Sequence, residues 1–261
     1  MAEKRLSKSK NLIDGYHPAV LCVWAAIQAA SNMFPVIALV GVGGTMSMAN
    51  VLVPLTGIFF GPYAGGLCAA IGQFIGMLIN PSNAWLGVFT FLIDTCKAFV
   101  AGLLFRGMWK SAYALNLLGI VIYNLFPVSR IAWIKTVTFG ITGIVTCLFG
   151  GIFTKHFNQH KNPIIKTLCV FLCSAGGLIT ACMFADLCTL YLYKTPAISI
   201  KLMAITAPVE RLSFAAIATV IGVPLLYCLP KIGIHVGPKV KDEFADEALP
   251  DTTEEAATPA E

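Results

Sequence analysis

Residues 15–93 read GYHPAVLCVWAAIQAASNMFPVIALVGVGGTMSMANVLVPLTGIFFGPYAGGLCAAIGQFIGMLINPSNAWLGVFTFLI, a run without a single Asp, Glu, Lys or Arg. A soluble domain cannot use such a run, because its loops and outer faces need solvated charge. About 20 apolar residues are enough for one helical crossing of a bilayer. The run therefore predicts several membrane crossings, and the function has to be sought in that solvent.

The rest of the chain continues this pattern. Hydrophobic residues make up 57% of the sequence and charged residues 12%, against about a quarter charged in ordinary globular proteins. Four further uncharged stretches are each bounded by charge and are long enough to cross a bilayer as a helix; they are 111–129, 136–154, 167–185 and 212–230. Backbone groups in lipid must be satisfied within the segment, which favours helices, and the short alternating segments of a β-barrel are not seen.

We therefore predict an all-α fold, a polytopic membrane helical bundle of about six to eight transmembrane helices. The second and third helices are predicted to form a short hairpin around Gly61 and Pro62, in which the second helix need not cross fully. The predicted helices are 17–40, 47–60, 62–80, 84–106, 111–127, 133–154, 164–190 and 203–229.

The distribution of basic residues predicts the orientation. An even number of passes puts both termini on one side, and most Lys and Arg residues outside the spans fall on that side. The other side has only Arg130, Lys135, Lys194 and Lys201. Basic loops are retained in the cytoplasm, so a multi-pass protein of the cell membrane with cytoplasmic termini is expected. Three regions are predicted: a basic cytoplasmic N-terminus (1–16), the transmembrane domain (17–231) and an acidic disordered cytoplasmic tail (232–261).

Five charged residues lie within predicted spans, where they are costly and usually face a cavity or a partner. Asp94 and Lys97 are three residues apart on one helix, so they share a face and can pair. This pair is either a structural salt bridge that neutralises two charges or part of a functional site. The sequence leaves both interpretations open.

The other three intramembrane charges are Asp186, Glu210 and Arg211. They lie on consecutive antiparallel helices at a similar predicted depth, and Lys194 and Lys201 fall in the connecting loop. The pattern predicts a mixed-charge cluster in the outer half of the protein, suited to binding an extracellular small molecule. The alternative is that these charges anchor helix ends at the interface.

A small-residue motif carries a family resemblance. Residues 59–80 read FFGPYAGGLCAAIGQFIGMLIN, in which Gly and Ala recur at four-residue spacing and allow close helix approach in lipid. The hairpin with F-G-P-x-x-G, followed by a polar loop and Pro81, resembles the substrate-binding S components of energy-coupling factor (ECF) transporters. The helix from Pro208 to Lys231 resembles that family's last helix. Region 108–155 departs from the family's usual six helices and predicts either an extra helical pair or one long helix broken at Pro127.

The resemblance implies a function and a set of partners. It implies high-affinity capture of a vitamin or similar micronutrient in an outward-facing pocket. The residues expected to bind substrate are Asp94, Lys97, Asp186, Glu210, Arg211, Asn83 and Trp85, with the loops Gly41–Ser47 and around Asn83 closing the pocket. The first helix offers two A-x-x-x-A frames for docking on a transmembrane coupling subunit, formed by Ala25, Ala26, Ala29 and Ala30. Two ATP-binding subunits would supply energy, because this chain has no phosphate-binding loop of its own.

Two other functions compete with this one. The Asp94–Lys97 pair suits an ion or proton relay in a transporter that works alone. An intramembrane enzyme is a remote alternative, since the sequence has no recognisable catalytic motif and its intramembrane acids lie on three separate helices. No catalytic residue, metal site or nucleic-acid partner is predicted.

Overall fold

A computed structural model describes residues 16–38, 45–84, 86–157, 163–194 and 197–232. Within them it contains eight α-helices, a two-stranded antiparallel hairpin and short 3-10 turns. The helices are α1 (Pro18–Ser31), α2 (Ala49–Ile79), α3 (Thr90–Phe105), α4 (Trp109–Leu125), α5 (Pro127–Ile131), α6 (Trp133–Phe157), α7 (Pro163–Tyr193) and α8 (Ala197–Cys228); the strands are β1 (Pro35–Ala38) and β2 (Thr45–Ser47). The predicted basic N-terminus and acidic tail lie almost wholly outside the described residues.

The prediction of a polytopic helical membrane protein is confirmed. Five helical segments in the described part of the chain are long and apolar enough to cross a membrane. Large apolar side chains point outward along them, including Leu78, Ile164 and Val220, each more than 60% exposed. Such exposure fits a surface in contact with lipid rather than water.

Neighbouring contacts fix the direction of each helix. Asn116 of α4 lies against Gly143 of α6, and Trp109 lies against Gly151, so these two helices are antiparallel. Val170 of α7 lies beside Gly222 of α8, which is the arrangement of another antiparallel pair. Tyr16, just before α1, donates to the Phe59 carbonyl of α2, and Gly222 near the end of α8 lies against Leu55 of α2. The start of α1 and the end of α8 therefore lie at one end of the bundle, here called the terminal end, and the β-hairpin lies at the opposite end.

The predicted hairpin at Gly61 is present inside α2. The backbone of Gly61 has φ +82° and ψ −179°, a conformation open essentially only to glycine. The two arms fold back on each other so closely that a Cβ at Gly65 would lie 2.6 Å from the Thr56 carbonyl oxygen. Helix α3 covers the turn, since a Cβ at Gly102 would lie 2.6 Å from the Pro62 nitrogen.

We expect Gly61→Ala to destabilise the protein by about 1–3 kcal/mol, the usual cost of holding a side chain in such a backbone conformation. The added Cβ would also meet the Arg106 guanidinium. Gly66→Ala is the matched control, because the nearest atom to its Cβ would be 3.8 Å away, an ordinary contact. Thermal unfolding in detergent should separate the two variants, and equal melting temperatures would contradict the role of Gly61.

The prediction of one helix over 17–40 is wrong beyond Ser31. Asn32 ends α1, and its side-chain amide donates back to the Gln28 carbonyl at 3.1 Å. Residues 35–38 then pair with 45–47 as antiparallel strands. Pro35 has no N–H for an intrahelical hydrogen bond, which opposes continuation of the helix. The result is that α1 is short and the hairpin lies beside its end.

The extra helical pair predicted within 108–155 corresponds to α4 and α6, joined by α5. The pair packs against α7, where Asn116 Nδ2 donates to Thr180 Oγ1 at 3.2 Å and Gly119 faces the Met183 side chain. Helices α1, α2 and α3 are packed together elsewhere in the bundle, with Trp24 edge-on to both Phe59 and Phe60. Helix α7 therefore lies between the N-terminal helices and the added pair.

Candidate functional site

A network of buried amides and hydroxyls begins where α1 ends. Asn32 is its centre: Nδ2 donates to Gln73 Oε1 of α2 at 3.1 Å, and Oδ1 accepts from Ser47 Oγ of β2 at 3.1 Å. Its backbone carbonyl accepts from Asn83 Nδ2 at 2.6 Å and from Asn80 Nδ2 at 3.0 Å. Buried polar groups need such partners. The network thus fixes α1, α2, β2 and the turn at Pro81–Asn83 relative to one another.

The network forms one wall of a polar cavity at the end of the bundle opposite the termini. The cavity has two adjoining compartments, each with about 20 Å³ of free space. They share Met46, Asn50, Thr90, Asp94 and Lys97. The first is completed by Asn32, Ser47, Gln73, Met77 and Asn83, and the second by Leu86, Ile93, Cys182, Ala185 and Arg211.

Asp94 and Lys97 form the expected pair in this cavity. Lys97 Nζ lies 2.5 Å from Asp94 Oδ1, and both side chains are largely buried. Lys97 Nζ also donates to Asn50 Oδ1 of α2 at 2.6 Å. Because α3 begins at Thr90 rather than at residue 84, the pair lies in its first two turns. The ammonium group therefore ties α3 to the first arm of α2 inside the cavity.

Two groups in the cavity keep unused hydrogen-bonding capacity. Gln73 Nε2 is buried and has no hydrogen-bond partner among the described residues, and the same is true of Arg211 Nε. Glu210, the neighbour of Arg211, is only half-buried and is not among the described residues that line the cavity. Of the two neighbouring residues predicted to bind substrate, Arg211 lines the cavity and Glu210 does not.

Asp186 has an ion-pair partner that the sequence analysis did not assign to it. Its Oδ1 is 2.7 Å from Lys135 Nζ of α6, and this pair is buried. The sequence predicted a mixed-charge cluster of Asp186, Glu210 and Arg211 with Lys194 and Lys201 in the adjoining loop. In the structure Arg211 interacts electrostatically with Asp186, but the ion-pair partner of Asp186 is Lys135 from the added helical pair. Asp186 and Lys135 line a second small cavity with Tyr123, Thr189, Leu190, Ile200 and Met203.

The two A-x-x-x-A frames of α1 differ in exposure, one being buried and the other exposed. Ala25 and Ala29 are each only 4% exposed, and a Cβ at Gly72 of α2 would lie 2.8 Å from the Ala25 carbonyl oxygen. This frame is used within the chain and is not accessible to a partner. Ala26 and Ala30 are exposed on the outer face of α1, so only they remain available for docking.

The two predicted loop residues have different outcomes. Asn83 lines the cavity and is buried, while Trp85 lies outside the described residues, as does most of the predicted lid at Gly41–Ser47. The part of that lid that is described, β2, places Met46 and Ser47 over the cavity.

Sequence reasoning missed the amides. Asn32, Asn50 and Gln73 all line the cavity, yet only charged residues were considered as candidates within the spans. Strong hydrogen-bonding groups in an otherwise apolar run are themselves a signal, since each must find a partner in lipid. The four-residue spacing of Gln28 and Asn32 on α1 would have indicated the polar face.

Comparison with known families gives one match. Residues 17–138 match the family model described as "ECF-type riboflavin transporter, S component". No curated protein and no solved structure matches the chain. The matched segment covers α1 to α5 and the first residues of α6. It contains Asn32, Asn50, Asp94 and Lys97, while Cys182, Ala185 and Arg211 come from helices beyond it.

Proposed function

We propose that this chain, as an S component of the ECF type, captures a vitamin-like small molecule in the cavity around Asp94 and Lys97. S components are the membrane-embedded substrate-binding subunits of such transporters, and this family is a class of transporters rather than of enzymes. The observation that carries the proposal is the cavity itself. It combines a buried ion pair, unpartnered donors at Gln73 and Arg211, and methionines that can adapt their shape.

The cavity must widen to admit such a ligand. Ligand pockets typically measure about 300–1,000 Å³, far more than the free space of either compartment. Only short segments cover the cavity, because Met46 and Ser47 come from a three-residue strand and Asn83 comes from a short turn. We propose that β2 and the turn at Pro81–Asn83 move apart to admit the ligand and then close over it.

Riboflavin is the first ligand to test, because the matched family model is named for it. The purified full-length protein should be analysed by native mass spectrometry, since a tight binder often retains its ligand, and then titrated with riboflavin. A retained or added small molecule bound at one per chain would support the proposal. Absence of any bound small molecule, together with no response to riboflavin or a panel of other vitamins, would overturn it.

Delivery is proposed to require partners. A transmembrane coupling subunit and two ATP-binding subunits would use ATP, with the chain in the cell membrane and its termini cytoplasmic. Uptake by cells should then stop when the ATP-binding subunits are deleted. If uptake survives that deletion and instead stops when the proton gradient is dissipated, the chain is a transporter that works alone, with Asp94 and Lys97 as its relay.

We expect Ala26→Leu to impair uptake while leaving ligand binding unchanged. The added side chain projects from the exposed face of α1 and would hold the coupling subunit away. Overpacking a close contact costs about 1–3 kcal/mol, which corresponds to roughly 5- to 150-fold weaker docking. Co-purification with the coupling subunit measures docking, and titration of the isolated chain measures binding.

The control for this prediction is Ala216→Leu, which enlarges an exposed alanine on α8. It should affect neither docking nor binding. Ala25→Leu is unsuitable as a docking probe, because Ala25 packs inside the chain against α2. Equal loss of docking in the Ala26 and Ala216 variants would count against a docking face on α1.

A further inference from the structure

Arg211 is a buried cation that forms no salt bridge with any described carboxylate. The residue is only 5% exposed and lines the second compartment of the cavity. Its Nη1 lies 2.9 Å from the Met46 sulfur, and its side chain also bonds the Cys182 sulfur; both sulfurs are weak acceptors. Among the described residues, its Nε has no hydrogen-bond partner.

The acids that could neutralise Arg211 are already engaged. Asp94 shares its compartment but is paired with Lys97, which lies 2.5 Å away. Asp186 is paired with Lys135 at 2.7 Å and interacts electrostatically with Arg211 as well, so this one carboxylate is shared by two cations. Glu210 immediately precedes Arg211 on the same helix, and adjacent residues on a helix do not face each other. With Asp94 and Lys97 cancelling, the compartment carries one uncompensated positive charge.

An uncompensated charge in a dry site is costly, and in a membrane protein such a residue marks a substrate or ion pathway more often than a structural contact. The guanidinium group presents its donors as a planar fork that matches a carboxylate or phosphate group. An anion bound there would supply the missing charge and the missing acceptor together. A neutral hydroxyl or carbonyl group would supply only the acceptor.

We propose that Arg211 is a subsite for an anionic group, a carboxylate or a phosphate, on the ligand that occupies this cavity. The inference rests on the proposed function, because it assumes that the cavity is the ligand site. It concerns α8, which lies beyond the segment matched by the family model. The body of the ligand would then lie toward Asn50 and Gln73, and the anionic group would lie toward Cys182 and Ala185.

The test uses matched neutral and anionic probes on the purified full-length chain. The pairs are riboflavin with riboflavin 5′-phosphate, pyridoxal with pyridoxal 5′-phosphate, and nicotinamide with nicotinic acid. Binding is measured by calorimetric titration, and any retained ligand is identified by native mass spectrometry. We expect an anionic species to bind best, and Arg211→Gln to weaken that species by roughly tenfold or more. Whether phosphate or carboxylate probes respond distinguishes the two kinds of anion.

Three comparisons separate this role from a structural one. Arg211→Lys keeps the charge but not the fork and should restore binding only in part. Arg130→Gln removes an exposed Arg on α5 and should change nothing. Arg211→Gln without ligand should melt at or above the temperature of the wild type, since it removes an unpaired buried charge; a clearly lower melting temperature would overturn the proposal.

The remaining outcomes are also decisive. If the ligand that binds is neutral, or if an anionic ligand binds equally well to Arg211→Gln, the subsite is refuted while ligand capture by the cavity stands. If nothing is retained and no probe binds, the proposed function fails and the subsite fails with it.

Discussion

Lys135→Met should be among the most destabilising single substitutions in this protein. The Lys135 side chain is 1% exposed and provides the only described salt-bridge partner of Asp186. Removing it leaves the Asp186 carboxylate buried beside apolar side chains, with its Oδ2 already lacking a hydrogen bond. Breaking a buried pair in this way typically costs about 3–5 kcal/mol. Unfolding of the detergent-solubilised protein by heat or denaturant measures this loss of stability.

The double variant Lys135→Met/Asp186→Leu is the control. It removes both charges and replaces them with apolar groups, which buried sites often tolerate without loss of stability. Most of the stability lost in the single variant should therefore return. If the double variant is as unstable as the single one, the defect comes from packing around Lys135 and not from the stranded carboxylate.

Lys97→Met should have the largest effect on ligand binding. It removes the ammonium group that bonds both Asp94 and Asn50, and it leaves a carboxylate without a partner in the cavity. Truncating one member of a buried, hydrogen-bonded charge pair costs about 2–5 kcal/mol in a binding site, roughly a 30- to 4,000-fold loss of affinity. Titration with the ligand identified by mass spectrometry measures this loss.

Lys201→Met provides the matched control, because Lys201 is exposed near the start of α8 and does not line the cavity. Its affinity should equal that of the wild type. If Lys97→Met does not fold, the charge-free variant Asp94→Asn/Lys97→Met should restore folding and still bind weakly. Tight binding by that folded double variant would show that the Asp94–Lys97 pair is only a structural salt bridge.

The helical architecture was largely predictable because it depends on local properties. A helix rises about 1.5 Å per residue, so the lengths of uncharged runs set the crossings. The turn at Gly61 was also predictable, since Pro62 follows a glycine that can adopt a conformation closed to other residues. The exception is residues 32–40, where Asn32 ends the helix and β1 pairs with β2; no periodicity in that apolar stretch indicated a strand.

The candidate site was less predictable. The Asp94–Lys97 pair follows from spacing on a single helix, and the structure contains it. The partner of Asp186 does not follow from spacing, because Lys135 lies on a helix packed beside α7 only in the folded protein. Which alanine frame is accessible was equally unpredictable, because Ala25 and Ala26 are adjacent in sequence and only packing against α2 buries Ala25 and leaves Ala26 exposed.

The sequence by itself determined that this chain spans a membrane as helices, that α2 folds back at Gly61, and that Asp94 and Lys97 share a face. Each of these depends on bilayer thickness, backbone sterics or helical repeat, which act over a few residues. Only helix packing brings Lys135 to Asp186 and leaves Arg211 beside the cavity without a salt bridge to a described carboxylate. Helices that are apolar on every side do not reveal which face meets which neighbour, so that choice is made only by packing.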